Sequence, residues 1–483
     1  MSPAAEELVD PGMFSVQEDG LTTTDPIRFP DYAGTIEKAS TSSGSDESVT
    51  AGSALIGGHP IELAVFDFAF LGGSMGEVAG ERLARAMERA ATREVPFVLR
   101  TSTGGARMQE GMRSLVQMPK AVVARRRLAE AHSPFIAVLG HPSTGGVLAG
   151  LAVLADILVA EADATIGFAG PRLVEQVTGE SPSGRSHTAA TASAHGLVDD
   201  VVAPGDVRTY LIAALGVLAE DDPQPVNEEP SGQAETHQDA WETVQVARAE
   251  GRPSGEEVTR GMTEELIILR GDRAGTDEGA LSTALVRVLG RKAMVLALDR
   301  RISPGPGAFR KARRCLRVAE NLGVPVITMI DTRGADPSSA SENTGIAWAI
   351  ARTTEALLTT SVPTIAVITG EGGSGGALAL ASADRVLAYE QSIFSVIGPE
   401  LAATILWRDA GRAAEASRLL HLTGPDLLDL GIADALIPEP LEPARLASTL
   451  AYHLDDLASL STSELLEHRM KRWRNDGHRQ TST

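Results

Sequence analysis

The chain repeats itself. SPFIAVLGHPSTGGVLAGLAVLADILVAEADATIGFAGP, residues 133–171, lines up with VPTIAVITGEGGSGGALALASADRVLAYEQSIFSVIGP, residues 362–399. Upstream, VPFVLRTSTGGARM (95–108) mirrors VPVITMIDTRGADP (324–337), and downstream AHGLVDDVV mirrors DLGIADALI. Chance similarity does not keep the order of four blocks, so the chain holds two copies of one folding unit. Each copy opens on Pro and a short apolar run that reads as a buried strand, Phe135 to Leu139 and Thr364 to Ile368. A glycine-rich turn, a small-residue helix and a second strand follow. GERLARAMERAATREVPFVLR shows the unit once more: Leu83, Met87 and Ala90 make one apolar helix face ahead of a strand. In KARRCLRVAENLGVPVITMID, Gly323 marks the helix stop. Strands alternating with helices of this length predict α/β units built on buried parallel strands.

The repeat sets the expected domains: 1–220, a linker over 221–240, and 241–483. The linker is acidic and carries prolines, with Val226 its one large apolar residue. A small, polar stretch at 36–53 reads as a loop or a disordered connector, and the basic end HRMKRWRNDGHRQTST as a fraying helix end or a solvated tail. A net charge of −21 argues against a nucleic-acid partner. One cysteine, Cys315, excludes an internal disulfide and a cysteine metal site, which fits a reducing cytoplasm. No signal peptide, apolar span or membrane association is expected.

The two turns carry the chemistry. Gly145-Gly146 and Gly375-Gly376 each follow a buried strand and open a helix. A helix start leaves backbone N–H groups unpaired, and glycine lets a ligand oxygen come close to them. Such a turn is a ready oxyanion hole, and two turns suggest two oxyanions. A packing role and a phosphate loop are the alternatives. GEGGSGG lacks the Lys of a phosphate loop, and no dinucleotide fingerprint is properly present. Side-chain chemistry is thin. His132, His187 and His195 have no metal-ligand spacing, His141 and Glu371 belong to no triad, and Ser374 is set aside as a nucleophile. Backbone stabilisation of enolates is favoured over covalent catalysis.

FLGGSMGEVAGERLARAMERA, TGGARMQEGMRSLVQMPK, STGGV and IGFAGPRLVEQ resemble the beta subunit of the bacterial acetyl-CoA carboxylase carboxyltransferase. PGPGAFRKARRCLRVAENLGVPVITMIDTRGADP, ITGEGGSGGALAL and FSVIGPELAATILW resemble its alpha subunit. The resemblance covers roughly residues 60–220 and 240–440, so the chain looks like a beta-then-alpha fusion. It implies two duplicated crotonase-like domains and transfer of a carboxyl group from N1-carboxybiotin to an acyl-CoA such as acetyl-CoA. Two oxyanions, the thioester enolate and the biotin ureido oxygen, then need two holes.

By that resemblance, Gly145 and Gly146 hold the thioester oxygen, and Gly375, Gly376 or Ala377 the biotin oxygen. Gly104, Gly105, Ala106 and Arg107, with Arg333, Gly334 and His141, line the cleft. Arg125, Arg310 and Lys311 lie in basic clusters that can meet the CoA phosphates, or else are solvated helix faces. The resemblance also implies a homo-oligomer, a dimer at least or a hexamer, whose site joins the N-terminal half of one chain to the C-terminal half of another. It implies a biotin carboxyl carrier protein and a biotin carboxylase as partners, since no biotinyl A-M-K-M site occurs here. Three departures stand out. The beta subunit's four-cysteine zinc ribbon is missing, so no zinc is expected. D-T-P-G-A-Y-P is here DTRGADP, and D-P-T-T-G-G is here HPSTGG. The changes at Arg333, Asp336 and His141 leave open an unusual or carrier-bound acyl substrate, a related decarboxylase, or a non-catalytic scaffold subunit.

Overall fold

The computed structural model describes residues 3–17, 20–182, 185–226 and 239–475. Most of the expected linker, and the end of the basic tail, lie outside the described residues. The chain divides into two compact units, Met1–Ala219 with Arg273–Gly275, and Glu220–Asp272 with Thr276–Thr483.

Unit 1 is built on one sheet. Its strands are β1 (Phe14–Val16), β2 (Val49–Ile56), β3 (His59–Phe66), β4 (Phe97–Thr103), β5 (Phe135–Thr144), β6 (Ile157–Glu161), β7 (Ile166–Gly167) and β8 (Asp200–Val202). They run in the order β1-β2-β3-β4-β5-β6-β8, with β7 paired to β5. The first three strands are antiparallel and the rest parallel. Four helices matter below: α1 (Glu77–Arg93), α2 (Gln117–Glu130), α3 (Gly145–Gly150) and α4 (Ala189–Ala194). The expected apolar face of α1 is the buried one, with Leu83, Met87 and Ala90 fully enclosed. It joins Phe97, Leu99, Phe135 and Ala137 of the parallel strands in one core.

Unit 2 repeats this topology. Its strands are β9 (Glu265–Ile268), β10 (Leu281–Val288), β11 (Arg291–Leu298), β12 (Val326–Thr332), β13 (Thr364–Gly373), β14 (Arg385–Tyr389), β15 (Ile393–Ser395) and β16 (Ala435–Ile437). The order is β9-β10-β11-β12-β13-β14-β16, with β15 paired to β13. The helices used below are α5 (Pro306–Leu322), α6 (Ile346–Thr359), α7 (Ser374–Ala381) and α8 (Gly424–Asp429).

Both glycine-rich strands run further than the sequence suggests. They continue through Thr144 and Gly373 because β7 and β15 supply a second ladder: Ser143 pairs with Ile166, and Gly372 with Phe394. The path kinks identically in both units. Phe97 faces Phe135 and Thr101 faces Leu139, an offset of 38 residues, and then Thr103 faces Ser143, an offset of 40. In unit 2 Val326 faces Thr364 and Ile330 faces Ile368, again 38, and then Thr332 faces Gly372, again 40. Each central strand thus gains two residues just before its turn.

Candidate active site

The matched registers align the two turns residue by residue. Thr103 corresponds to Thr332, and Ser143 to Gly372. Gly145 therefore sits level with Ser374, and Gly146 with Gly375. This corrects the pairing of one Gly-Gly with the other by one residue. The backbone agrees: Gly145 (φ 68°) and Ser374 (φ 56°) both lie in the left-handed region at the strand-to-helix turn.

In unit 1 two loops press together. A Cβ on Gly105 would lie 3.0 Å from the Gly145 Cα, and one on Gly145 would lie 2.8 Å from the Gly105 Cα. Only bare backbone allows that approach. Thr103 Oγ1 accepts the Gly105 N–H at 2.9 Å, and Met75 O accepts the Arg107 N–H at 2.9 Å. The Ala106 N–H between them makes no hydrogen bond among the described residues. Across the gap, Phe168 O takes the Gly145 N–H at 2.9 Å, and the first turn of α3 leaves the Gly146 N–H without an intrahelical acceptor. Gly146 and Ala106 are half-buried, within reach of a ligand.

Unit 2 uses the same device. Thr332 Oγ1 accepts the Gly334 N–H at 3.2 Å, and Pro304 O the Asp336 N–H at 3.0 Å. Ala335 N–H is left unbonded among the described residues. It lies beside α7, where a Cβ on Gly376 would stand 2.6 Å from the Ala335 nitrogen. The first turn of α7 frees the N–H groups of Gly375 and Gly376. Gly375 is exposed, and nothing lies within 4 Å of where its Cβ would be. Ala377 drops out of the expected hole, because at the fourth helical position its N–H bonds back to the Gly373 carbonyl. Ala106 and Ala335 each place a further unbonded N–H beside their turn. The sequence signal for Ala335 was the constant spacing of the repeat.

Ser374 also needs correction. GGSGG does satisfy the G-x-S-x-G spacing, and Ser374 sits exposed on a strand-turn-helix bend. Its hydroxyl, however, bonds to no base among the described residues. Gly145 shares its backbone angles, so the geometry belongs to the duplicated turn, not to a nucleophile.

Several expected lining residues face inward instead. Arg107 is wholly buried beneath its turn and pairs with Glu47 and Glu110; its guanidinium also meets Ser74 O and Ser48 Oγ. Burial alone would lower its pKa, but the Glu47 hydrogen bonds and charge outweigh that and raise it. Arg107 therefore holds the Gly104–Ala106 turn in place and does not line a cleft. Arg125 is buried against Asp156 at 2.6 Å, and Lys311 against Asp277 at 2.7 Å, so neither has a free charge for a phosphate. Arg310 pairs with Asp272 at 2.7 Å and keeps a partly exposed face. His141 is exposed, and its carbonyl accepts from Ser102 Oγ at 2.7 Å. Gly104 is exposed and Gly334 half-buried. Arg333 is 68% exposed beside the second turn, 3.8 Å from Glu371.

A charged layer supports the second turn. Arg248 holds Glu371 at 2.6 Å and Glu400 at 2.6 Å. Asp331 lies buried next to it and accepts the Glu371 N–H at 3.1 Å. Burial pushes the Asp331 carboxyl up to about 6, against the pull of that N–H and of Arg300 and Arg252. Nothing in the sequence pattern marked this group, because its burial depends on the fold. Among the described residues no cluster of three or more His, Cys, Asp or Glu is placed to hold a metal ion. Nor is any helix among them long and apolar enough to cross a membrane.

Two α/β units of one topology, each with unbonded backbone N–H groups at a kinked strand-to-helix turn, are the arrangement that an enzyme stabilising oxyanions with main chain would need. Comparison gives the family. Residues 12–196 match the carboxyl transferase domain model, and residues 228–477 match the model for acetyl co-enzyme A carboxylase carboxyltransferase-like proteins. The chain is 41% identical to the acetyl-coenzyme A carboxylase carboxyl transferase subunits beta/alpha of Salinispora arenicola, over 98% of this chain and 89% of that one. It is 35% identical to the probable biotin-dependent acyl-coenzyme A carboxylase beta3 subunit of Mycobacterium tuberculosis, over 94% of each. The 12S transcarboxylase, solved as a hexamer with methylmalonyl-coenzyme A bound, superposes with a TM-score of 0.75 at 23% identity, covering 94% of this chain and 89% of that one. The chain belongs to the acetyl-CoA carboxylase carboxyl transferase family, in its fused beta/alpha form, and both units have the crotonase-like fold.

Proposed function

We propose that this enzyme transfers a carboxyl group from carboxybiotin, carried by a partner protein, to the α-carbon of an acyl-CoA. The observation that carries the reading is the pair of main-chain holes, Ala106 with Gly146 and Ala335 with Gly375. Unit 1 is the acyl-CoA side. There the Ala106 and Gly146 N–H groups take the thioester oxygen, and their hydrogen bonds strengthen as that oxygen gains charge. Thr103 and Met75 fix the neighbouring N–H groups, so no reorganisation is needed when charge develops. Unit 2 is the biotin side. The open space at Gly375 and the unpaired N–H groups of Ala335 and Gly375 fit a small, flat acceptor such as a ureido oxygen. Biotin, when bound, supplies the carboxyl group and the base. Arg333, exposed beside this turn, holds negative charge near it. Glu371 and Arg248 brace the turn from beneath.

The scarcity of side-chain acids and bases at either turn is what this chemistry requires, since the protein needs to orient, polarise and exclude water. The enzyme works with a biotin carrier and a biotin carboxylase, as a cytoplasmic homo-oligomer of at least two chains. The test is the reverse half-reaction. Purified protein is mixed with biocytin and malonyl- or methylmalonyl-CoA, and the decarboxylated ester is followed by chromatography. Biocytin-dependent loss of the carboxyl group is expected. Loss without biocytin would make the enzyme a decarboxylase, and no loss with a folded sample would sink the assignment.

A further inference from the structure

Unit 1 contains a cavity of about 630 Å³ against α3 and α4. Leu139, Leu148, Leu158, Ile166, Phe168 and Val198 give it apolar walls. Two polar groups at its edge are already engaged. His187 joins Ser186 Oγ at 2.6 Å and Ala169 O at 2.9 Å, and Arg273 pairs with Asp199 at 2.5 Å and donates to Gly196 O at 3.0 Å. Such a space favours carbon over water or ions.

The internal repeat shows how the space arises. Thr188 caps α4 by accepting from the Thr191 N–H, and Thr423 caps α8 by accepting from the Asp426 N–H. Asp199 accepts the Leu158 N–H at 2.9 Å, and Asp434 accepts the Val386 N–H at 2.7 Å. Between these matched landmarks, Ala192 stands where unit 2 has Leu427, and Ser193 where it has Leu428. Leu427 is buried and packs its helix down. In unit 1 the buried Leu427 side chain has no counterpart, and Ala192, at its position, lines the cavity instead.

Its location ties it to the first turn. Leu148 lies two residues beyond Gly146 on α3, and the Phe168 carbonyl holds the Gly145 N–H. We propose that this cavity receives the alkyl chain of the acyl-CoA, so that the enzyme acts on CoA esters longer than acetyl. The proposal rests on reading unit 1 as the acyl-CoA side.

The experiment measures binding of acetyl-, butyryl- and octanoyl-CoA to the full chain by calorimetry, with initial carboxyl-transfer rates beside it. Each methylene that enters an apolar cavity tightens binding about fourfold. Octanoyl-CoA is expected to bind at least about tenfold tighter than acetyl-CoA. Ala192→Leu, which restores the unit 2 residue, lowers the octanoyl-to-acetyl affinity ratio by about tenfold or more. Val153→Phe narrows the same space from another wall and serves if Ala192→Leu does not fold. Affinity that stays flat with chain length, or a ratio that neither folded variant moves, overturns the proposal. Chain-dependent binding without carboxyl transfer would keep the cavity assignment and remove the carboxyltransferase reading.

Discussion

Arg107 and Asp336 occupy the same place in the two units, yet one is wholly buried and the other only half-buried. Their main chains do the same work: each N–H is held by a loop carbonyl, leaving the preceding alanine N–H free. Their side chains share nothing. Arg107 is sealed in an ion network, whereas Asp336 bonds Ser338 and Ser341 to start a short helix. Asp331 and Ser102 differ in the same way. Asp331 is buried beneath Glu371, while Ser102 makes only a hydroxyl bond to His141 O. A Cβ on Gly370 would meet the Asp331 carboxylate, so Gly370 makes room for an acid that unit 1 lacks. After duplication the chain path was kept and the side chains drifted. The proposed chemistry therefore rests on the path.

The comparison breaks most sharply at the glycines. Gly375→Val puts a side chain into open space, so it is expected to fold normally and to lose about 10²–10³-fold in carboxyl transfer. Gly376→Val drives a Cβ into the Ala335 nitrogen and is expected to destabilise unit 2 instead. Thermal melts beside rates separate the two, and full activity in folded Gly375→Val would end the hole assignment. The supports come next. Arg107→Met strands Glu47 and Glu110 in the core and is expected to cost about 3–5 kcal/mol. Asp336→Asn, at the half-exposed matching position, is expected to change stability far less. Urea unfolding of both variants checks the contrast, and equal losses would contradict it.

The pH response follows from Asp331. Its folded pKa lies above the unfolded value near 3.8, so the proton favours the folded state. That contribution is complete below about pH 4 and is lost as pH rises through about 6, up to about 3 kcal/mol in all. Asp331→Asn keeps an acceptor for the Glu371 N–H and removes the titration. The stability difference between variant and wild type is expected to grow in the variant's favour from pH 4 to 7, and a constant difference would refute it. The smallest effect is at Ser374. Ser374→Gly relieves a left-handed serine, shifts stability by about 1 kcal/mol or less and leaves the rate unchanged. A large rate loss would restore the serine as a nucleophile.

The duplication, the α/β character and the two turns were legible in the sequence because they depend on short-range patterns: Pro-led apolar runs, paired glycines and the helix face of Leu83, Met87 and Ala90. The one-residue correction at Ser374 was not, because glycine pairs attract each other in an alignment while strand pairing sets the true register. The roles of Arg107, Arg125 and Lys311 were hidden for a different reason. A basic residue reads the same in sequence whether it faces solvent or a buried carboxylate, and only Glu47, Asp156 and Asp277, distant along the chain, decide between them.

The two extra residues in β5 and β13 carry a rule of parity. Successive side chains in a strand point to opposite faces, so an odd insertion would turn the last rungs inside out. An even one lifts the turn while Thr103 and Thr332 still meet Ser143 and Gly372 in pairing. Lengthening or shortening either strand for new substrates should therefore go in steps of two. A single added residue would exchange the faces of Ser143 and Thr144 and re-aim the turn's N–H groups, even though no residue of the turn itself had changed.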